Sequence, residues 1–309
     1  MEEIIVSSSP FIHSKNDVNK LFLYISLALI FPAIYGIMFF GFNAFMMMVF
    51  SVICCFAFEL LYNFFAIKKV YVKDISFLVT GLLIALTLPV KSPMYAIIIC
   101  TFFATVGVKF SFGGLGRNAF NPAVTARCLA GLMIPNITST LYKVTIAGDE
   151  YVSLIQGGTN TISNLFSGRA VGGIGTTCII LILIVGVALA NMKVIDVKIP
   201  VISIVAYVAT MVSLTNMETA LLSVCSGSFI FVSVFMMTDP VSSPNTLLGK
   251  IIYSTLFGVL SAFAWKLGYF GENCIFVVAL VVNLFVPFMD KYFTVRPRSI
   301  GGFRYAHKD

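Results

Sequence analysis

The sequence predicts an all-α polytopic membrane protein of about ten transmembrane helices, in two inverted-topology repeats of five with some helices broken. Three observations carry this reading. Of the 309 residues 59% are hydrophobic and only 11% charged, with a mean hydropathy of +0.99, which leaves too little polar surface to coat a soluble globule. The apolar residues gather into stretches close to the roughly 20 residues that cross a bilayer. Finally, Thr87-Leu-Pro-Val-Lys-Ser-Pro93 returns as Thr238-Asp-Pro-Val-Ser-Ser-Pro244, each at the end of an apolar run, and Asn118-Ala-Phe-Asn-Pro122 is echoed in the same order by Asn283-Leu-Phe-Val-Pro287. Such strings also occur as ordinary loop chemistry, but two matches in one order favour an internal repeat.

Taken along the chain, residues 1–20 read as a cytoplasmic tail. They carry Glu2, Glu3, Lys15, Asp17 and Lys20 and no apolar segment, so no cleavable signal peptide is expected and the first span is itself the insertion signal. The first repeat, 21–134, holds apolar spans Leu21 to Phe40, Ala44 to Ile67, Ile75 to Val90, Met94 to Phe110 and Phe120 to Ile134. The third and fifth are short, and prolines lie at their ends; Pro lacks an N–H and clashes with the preceding turn. Broken backbone at membrane depth is tolerated only where protein buries it or a polar cavity takes it, so paired breaks in two halves point to a site near the interface of the repeats. Residues 135–173 form an external loop. The second repeat, 174–289, holds Ile174 to Ala190, Ile199 to Leu214, Ala220 to Met236, Leu248 to Leu267 and Cys274 to Met289, and residues 290–309 form a basic cytoplasmic tail.

Charge sets the orientation. With the N-terminus inside, basic residues crowd the inner segments, among them Lys68, Lys69, Lys109, Lys193, Lys198 and Lys250, and only Lys91, Lys143, Arg169 and Lys266 fall outside. This is the cytoplasmic bias of inserted proteins. An odd number of spans per half makes the second half enter from the opposite side. The net charge of +7 is accounted for by these loops and the tail, and no nucleic-acid partner is implied.

Chemistry-bearing residues are few. The cysteines all fall in apolar spans without the spaced pairs of a metal or cluster site, and read as small core residues. His13 and His307 lie in the tails, so no metal site is expected. Glu59 and Asp239 are the intramembrane carboxyl groups, and an ionisable group at depth is functional unless it reaches the interface. Asp239 stands where Leu88 stands in the first repeat; it reads either as part of an ion path or as a helix-end carboxylate in water. The glycines from Gly168 to Gly175 could offer N–H groups to a phosphate at a helix start or let helices pack closely.

Phe112-Gly-Gly-Leu-Gly-Arg-Asn-Ala-Phe-Asn-Pro-Ala123, Ser8 to Ser14, Gly168 to Thr177 and Thr238 to Pro244 together resemble the D subunit of the Rnf complex, related to the B subunit of the sodium-pumping NADH:quinone reductase. The resemblance covers essentially the whole chain. It implies an FMN joined through its phosphate to a threonine hydroxyl in the external loop; the related quinone-reductase subunit also holds a riboflavin near its Asn-x-Phe-Asn string, which makes riboflavin a candidate second flavin here. By position the anchor is Thr159, in Gly157-Gly158-Thr159, with Thr161 as the alternative; Gln156 and Gly158 depart from the Ser-Gly-Ala-Thr type motif. Asn118 and Asn121, beside Arg117, present amides suited to a flavin edge, or they cap the fifth span before Pro122.

The expected function is therefore a flavoprotein subunit of an ion-translocating ferredoxin:NAD oxidoreductase in the bacterial inner membrane, with both termini cytoplasmic. Electrons pass through bound flavin, coupled to Na+ or H+ movement. The partners implied are a second FMN-carrying subunit, further membrane subunits, and subunits on the ferredoxin and NAD sides. This chain has no dinucleotide fingerprint of its own. A secondary transporter with the same repeats and no redox cofactor is the alternative.

The orientation is directly testable. A cysteine in place of Ser153 should react with a membrane-impermeant thiol reagent on intact cells, and labelling only after lysis would overturn the assignment.

Overall fold

In the computed structural model, residues 18–68, 74–114, 116, 118, 120–134, 145–146, 149–150, 172–225, 228–268 and 273–293 are described. Each of the predicted apolar stretches is helical. In the first half these are α1 (Val18–Phe40), α2 (Phe42–Tyr62, continued by a π-helical turn Asn63–Ile67), α3 (Ser76–Thr87), α4 (Met94–Phe102, continued as π-helix Phe103–Phe110) and α5 (Pro122–Met133). The second half has α6 (Ile179–Asn191), α7 (Lys198–Leu214), α8a (Met217–Cys225), α8b (Phe229–Phe231 with the π-helical Val232–Met236), α9 (Leu247–Leu267) and α10 (Cys274–Leu284, then Val286–Phe293). Between the halves, β1 (Thr145–Ile146) and β2 (Asp149–Glu150) pair antiparallel.

Four of these are long and apolar enough to cross a membrane: α1, α2, α9 and α10. A fifth crossing forms if α8a and α8b, bent by 64° at their junction, act as one. The remaining helices, α3 to α7, are shorter. The long helices bury less than half of their apolar windows, with Leu27, Phe31, Ile34 and Met38 of α1 exposed in a row. Such a face suits lipid or another apolar partner. Local signals set the ends: Gly41 separates α1 from α2 at φ 76°, Asn121 caps α5 ahead of Pro122, Thr246 caps α9 through Gly249 N, and Gly268 ends α9 in a left-handed turn.

Five helix pairs recur in the two halves, and the first half additionally packs α1 on α2 and α3 on α4. Within the first, α2 meets α3 and α4, α3 meets α1 and α5, and α4 meets α5; within the second, α7 meets α8 and α9, α8 meets α6 and α10, and α9 meets α10. Across the halves α5 packs on α10 and α1 on α6, which are positions of equal rank.

The short helix α3 stops before Pro89, leaving carbonyls without intrahelical donors. All three at its end are satisfied from elsewhere. Gly175 N donates to Leu86 O at 2.8 Å, Ile174 N to Leu88 O at 3.1 Å, and Arg127 Nε to Thr87 O at 3.2 Å. Gly173 has no room for a Cβ, which would lie 2.6 Å from the Thr87 backbone. Gly173 to Gly175 therefore serve close packing, and the N–H groups of Ile174 and Gly175 are spent on protein. The sixth span accordingly begins its helix at Ile179, later than the Ile174 expected from hydropathy. That expectation fails because 174–175 are held as donors along the end of α3.

Arg127 is fully buried in α5. Its Nη1 donates to Asn273 Oδ1 at 2.6 Å at the start of α10, and its guanidinium lies 4.9 Å from the Phe276 ring centroid. One side chain thus ties the break in α3 to the opposite half. Arg127→Met keeps the apolar stem but strips a donor from two buried acceptors, at about 1–3 kcal/mol each. The detergent-solubilised protein should aggregate at a clearly lower temperature than wild type; an unchanged midpoint would count against the clasp.

Candidate functional site

A cavity of about 50 Å³ with a mixed apolar and polar lining lies where the halves meet. Its walls come from α1, α3, the π-helical end of α4, the segment before α5, α6, and the end of α8b, and they include Ser76, Thr80, Lys109, Asn118, Asn121 and Asp239. Three residues nominated from sequence, Asn118, Asn121 and Asp239, are thereby brought together. The others, Arg117, Gly157, Gly158, Thr159 and Thr161, lie outside the described residues, as does Ser153.

Asn121 has defined work. Its Oδ1 accepts from Ala123 N at 3.0 Å and Val124 N at 3.4 Å, capping α5, and its Nδ2 donates to Met236 O at 3.0 Å. That carbonyl ends α8b, so Asn121 does for the break in the second half what Arg127 does for the break in the first. Asn118 Nδ2 turns back to Phe120 O at 2.9 Å and orders the entry to α5. The capping role is thus occupied.

Asp239 follows the end of α8b in a turn in which Ser243 N donates to its carbonyl at 3.0 Å and Ser242 Oγ to its carboxylate at 2.9 Å. It is half-buried and lines the cavity, so it is not the fully hydrated helix-end carboxylate of the simpler reading. Nearby, Tyr253 donates to Asn283 Oδ1 at 2.6 Å, while Asn283 Nδ2 is buried without a partner among the described residues.

The charge pair of the first half escaped the sequence. Lys109, placed by charge counting among the inner-loop cations, is 5% exposed; its Nζ lies 2.8 Å from Glu59 Oε1 and 2.7 Å from Ser76 Oγ. This corrects the loop assignment. The turn that ends α4 is π-helical, and the side chain points inward to a carboxylate that would otherwise be buried unpaired in α2. Glu59 itself is 2% exposed, and among the described residues its Oε2 has no hydrogen-bond partner. A basic residue closing one apolar span and an acid within another was the available signal, but the two are 50 positions apart and hydropathy cannot pair them.

A second cavity of about 430 Å³ shares Ile195 and Thr238 with the first and is lined by Lys193, Asp196, Asn245 and Lys250. Lys250 Nζ meets Asp196 Oδ2 at 2.8 Å. Burial pushes the Asp196 carboxyl up, but hydrogen bonds from Lys250 and the Lys198 backbone outweigh it and hold the group below its usual range. The bridge persists at neutral pH and is lost only as pH falls through that lowered value. The central cavity thus has a charged neighbour lined by Lys193, Asp196 and Lys250.

The central cavity suits water or a small cation. Its volume is well below the ~300–1,000 Å³ of drug-sized ligand pockets, and Arg117, expected beside Asn118, lies outside the described residues. The cysteines are free, and Cys55, Cys100, Cys128, Cys225 and Cys274 are buried; among the described residues no three His, Cys, Asp or Glu side chains form a metal site.

One similar protein is the D subunit of the proton-translocating ferredoxin:NAD(+) oxidoreductase complex of Clostridium ljungdahlii, 28% identical over 93% of this chain and 93% of that one. The D subunit of the Na(+)-translocating ferredoxin:NAD(+) oxidoreductase complex of Acetobacterium woodii is 30% identical over 94% and 93%. The corresponding D subunit of the ion-translocating oxidoreductase complex of Escherichia fergusonii is 27% identical over 96% and 98%. Residues 5–301 match the NQR2, RnfD, RnfE family, and the chain belongs to that family.

Proposed function

We propose that this protein is the membrane D subunit of an ion-translocating ferredoxin:NAD oxidoreductase, embedded in the bacterial inner membrane with both termini cytoplasmic. The observation that carries the reading is the family match over residues 5–301 together with relatives that align along nearly their whole length and bear that activity in their names. Ferredoxin and NAD are handled by partner subunits, and this chain contributes an electron carrier and an ion-binding cavity.

The architecture we infer is two inverted repeats of five spans. The matching helix pairs in the two halves, and the contacts of α5 with α10 and α1 with α6, support a twofold axis in the membrane plane. An ion site near that axis follows the logic of repeat-built transporters. Asp239, which lines the central cavity between the halves, is the residue we assign to the ion path. Relatives are named for either H+ or Na+, so the coupled ion is left as H+ or Na+.

The redox part rests on the external loop. A flavin phosphate esterified to the Thr159 hydroxyl, or to Thr161, would stay with the subunit through every turnover and supply one- and two-electron transfer. A transporter lacking redox cofactor shares the repeat architecture but does not account for the named activity of the relatives.

Two measurements test the proposal. In a denaturing gel the polypeptide should show a yellow fluorescent band that Thr159→Ala removes; retention in Thr159→Ala with loss in Thr161→Ala moves the anchor by two positions, and no fluorescence in wild type favours the transporter. Asp239→Asn should keep the fluorescence but cut ferredoxin-driven ion uptake into inverted vesicles at least about tenfold; unchanged uptake removes Asp239 from the path.

A further inference from the structure

The central cavity holds an unequal set of charges. Asp239 and Lys109 line it directly, and Glu59 lies behind Lys109 at 2.8 Å. Two carboxylates and one ammonium sum to −1 among the described residues. Such a charge surplus in a low-dielectric interior requires a compensating cation or proton. The space of about 50 Å³ admits a cation with a water or two. Oxygen donors of the kind that a hard cation takes surround it: the Asp239 carboxylate, the hydroxyls of Ser76, Thr80 and Thr238, and the Asn118 amide. Among the described residues the buried Glu59 Oε2 has no hydrogen-bond partner, so the lysine leaves the acid incompletely satisfied.

We propose that Lys109 is a tethered internal cation that sets the ion affinity of the central cavity. Held between Glu59 and Ser76, its ammonium cancels one of the two carboxylates and leaves the site with room and charge for one monovalent cation. It is a positioning residue, acting on the ion through Glu59 and Asp239. The lysine keeps affinity low enough for release, since a doubly negative site would bind an entering cation too tightly to let it leave. The surrounding helix suits this: Lys109 sits in the π-helical Phe103–Phe110 segment, and π-helical turns inside α-helices are frequent at functional sites.

The inference rests on the ion-path reading, and a charge series tests it separately. Ferredoxin-driven uptake into inverted vesicles of the whole complex is measured against Na+ at fixed pH, and against pH without Na+, which distinguishes the two cations. Lys109→Met makes the cavity −2, and the half-saturating cation concentration should fall by about tenfold, with a lower maximal rate. Glu59→Gln makes it neutral, and that concentration should rise by about as much. The double variant restores −1 and should return close to wild type in affinity, although both partners are gone. Lys109→Arg keeps the charge and should resemble wild type. Thermal stability measured with and without cation provides a readout apart from turnover: Lys109→Met alone should gain a marked cation-dependent rise in its midpoint, even where its turnover is too low to measure. If half-saturation and midpoints do not follow this charge order, Lys109 is only a structural partner of Glu59. If Asp239→Asn leaves uptake intact, the ion-path reading itself falls, whatever the lysine does.

Discussion

The constraint on which this structure depends is that a helix broken inside a membrane protein leaves carbonyl groups that water cannot reach. In α3 the exposed acceptors are Leu86, Thr87 and Leu88, met by Gly175, Arg127 and Ile174; at the end of α8b Met236 is met by Asn121. Two of these donors, Asn121 and Arg127, are side chains of the α5 region. One short helix therefore serves the breaks of both halves, and Asn273 anchors it to α10. Its closeness to α10 depends on Gly131, which leaves no space for a Cβ against Asn273. Packing here follows from hydrogen-bond necessity more than from apolar area, because neighbouring helices gain little hydrophobic energy in lipid.

The same breaks create the site. A continuous helix presents no free backbone and only side chains to its neighbours, whereas a helix that stops at a proline turns aside and leaves a gap. Polar residues then face that gap from several elements, and Asn118, Asn121, Thr238 and Asp239 all lie at or next to such interruptions. The buried Lys109–Glu59 pair adds charge at its first-half wall. Removing either partner would strand the other in a low-dielectric interior, so the pair is a fixed part of the cavity's electrostatics and not a surface bridge of small value.

Residues with similar sequence roles end up with unlike duties. Asn118 and its repeat counterpart Asn283 illustrate this: the first folds back on Phe120, while the second accepts from Tyr253 in the core of the other half. Leu88 and Asp239 diverge further, since Leu88 is buried and offers only its carbonyl, whereas Asp239 brings a carboxylate to the cavity. Similar strings in the sequence thus end in unlike surroundings, and the interior of the helical body is asymmetric.

Local features of the chain were enough to establish the helical membrane class, the positions of the apolar spans, the family, and the small set of polar residues at the breaks. Run length, proline at span ends, and strings such as Gly-Arg-Asn-Ala-Phe-Asn-Pro are legible without any partner. Helix packing was needed to show that Lys109 points inward to Glu59, that Ile174 and Gly175 donate their N–H groups to the end of α3, and that Asn121 and Asp239 face one cavity. Hydropathy reports how far a residue's own segment prefers lipid, while the fate of a charge or a carbonyl depends on a partner many positions away in the chain, and such partners are fixed only when the helices pack.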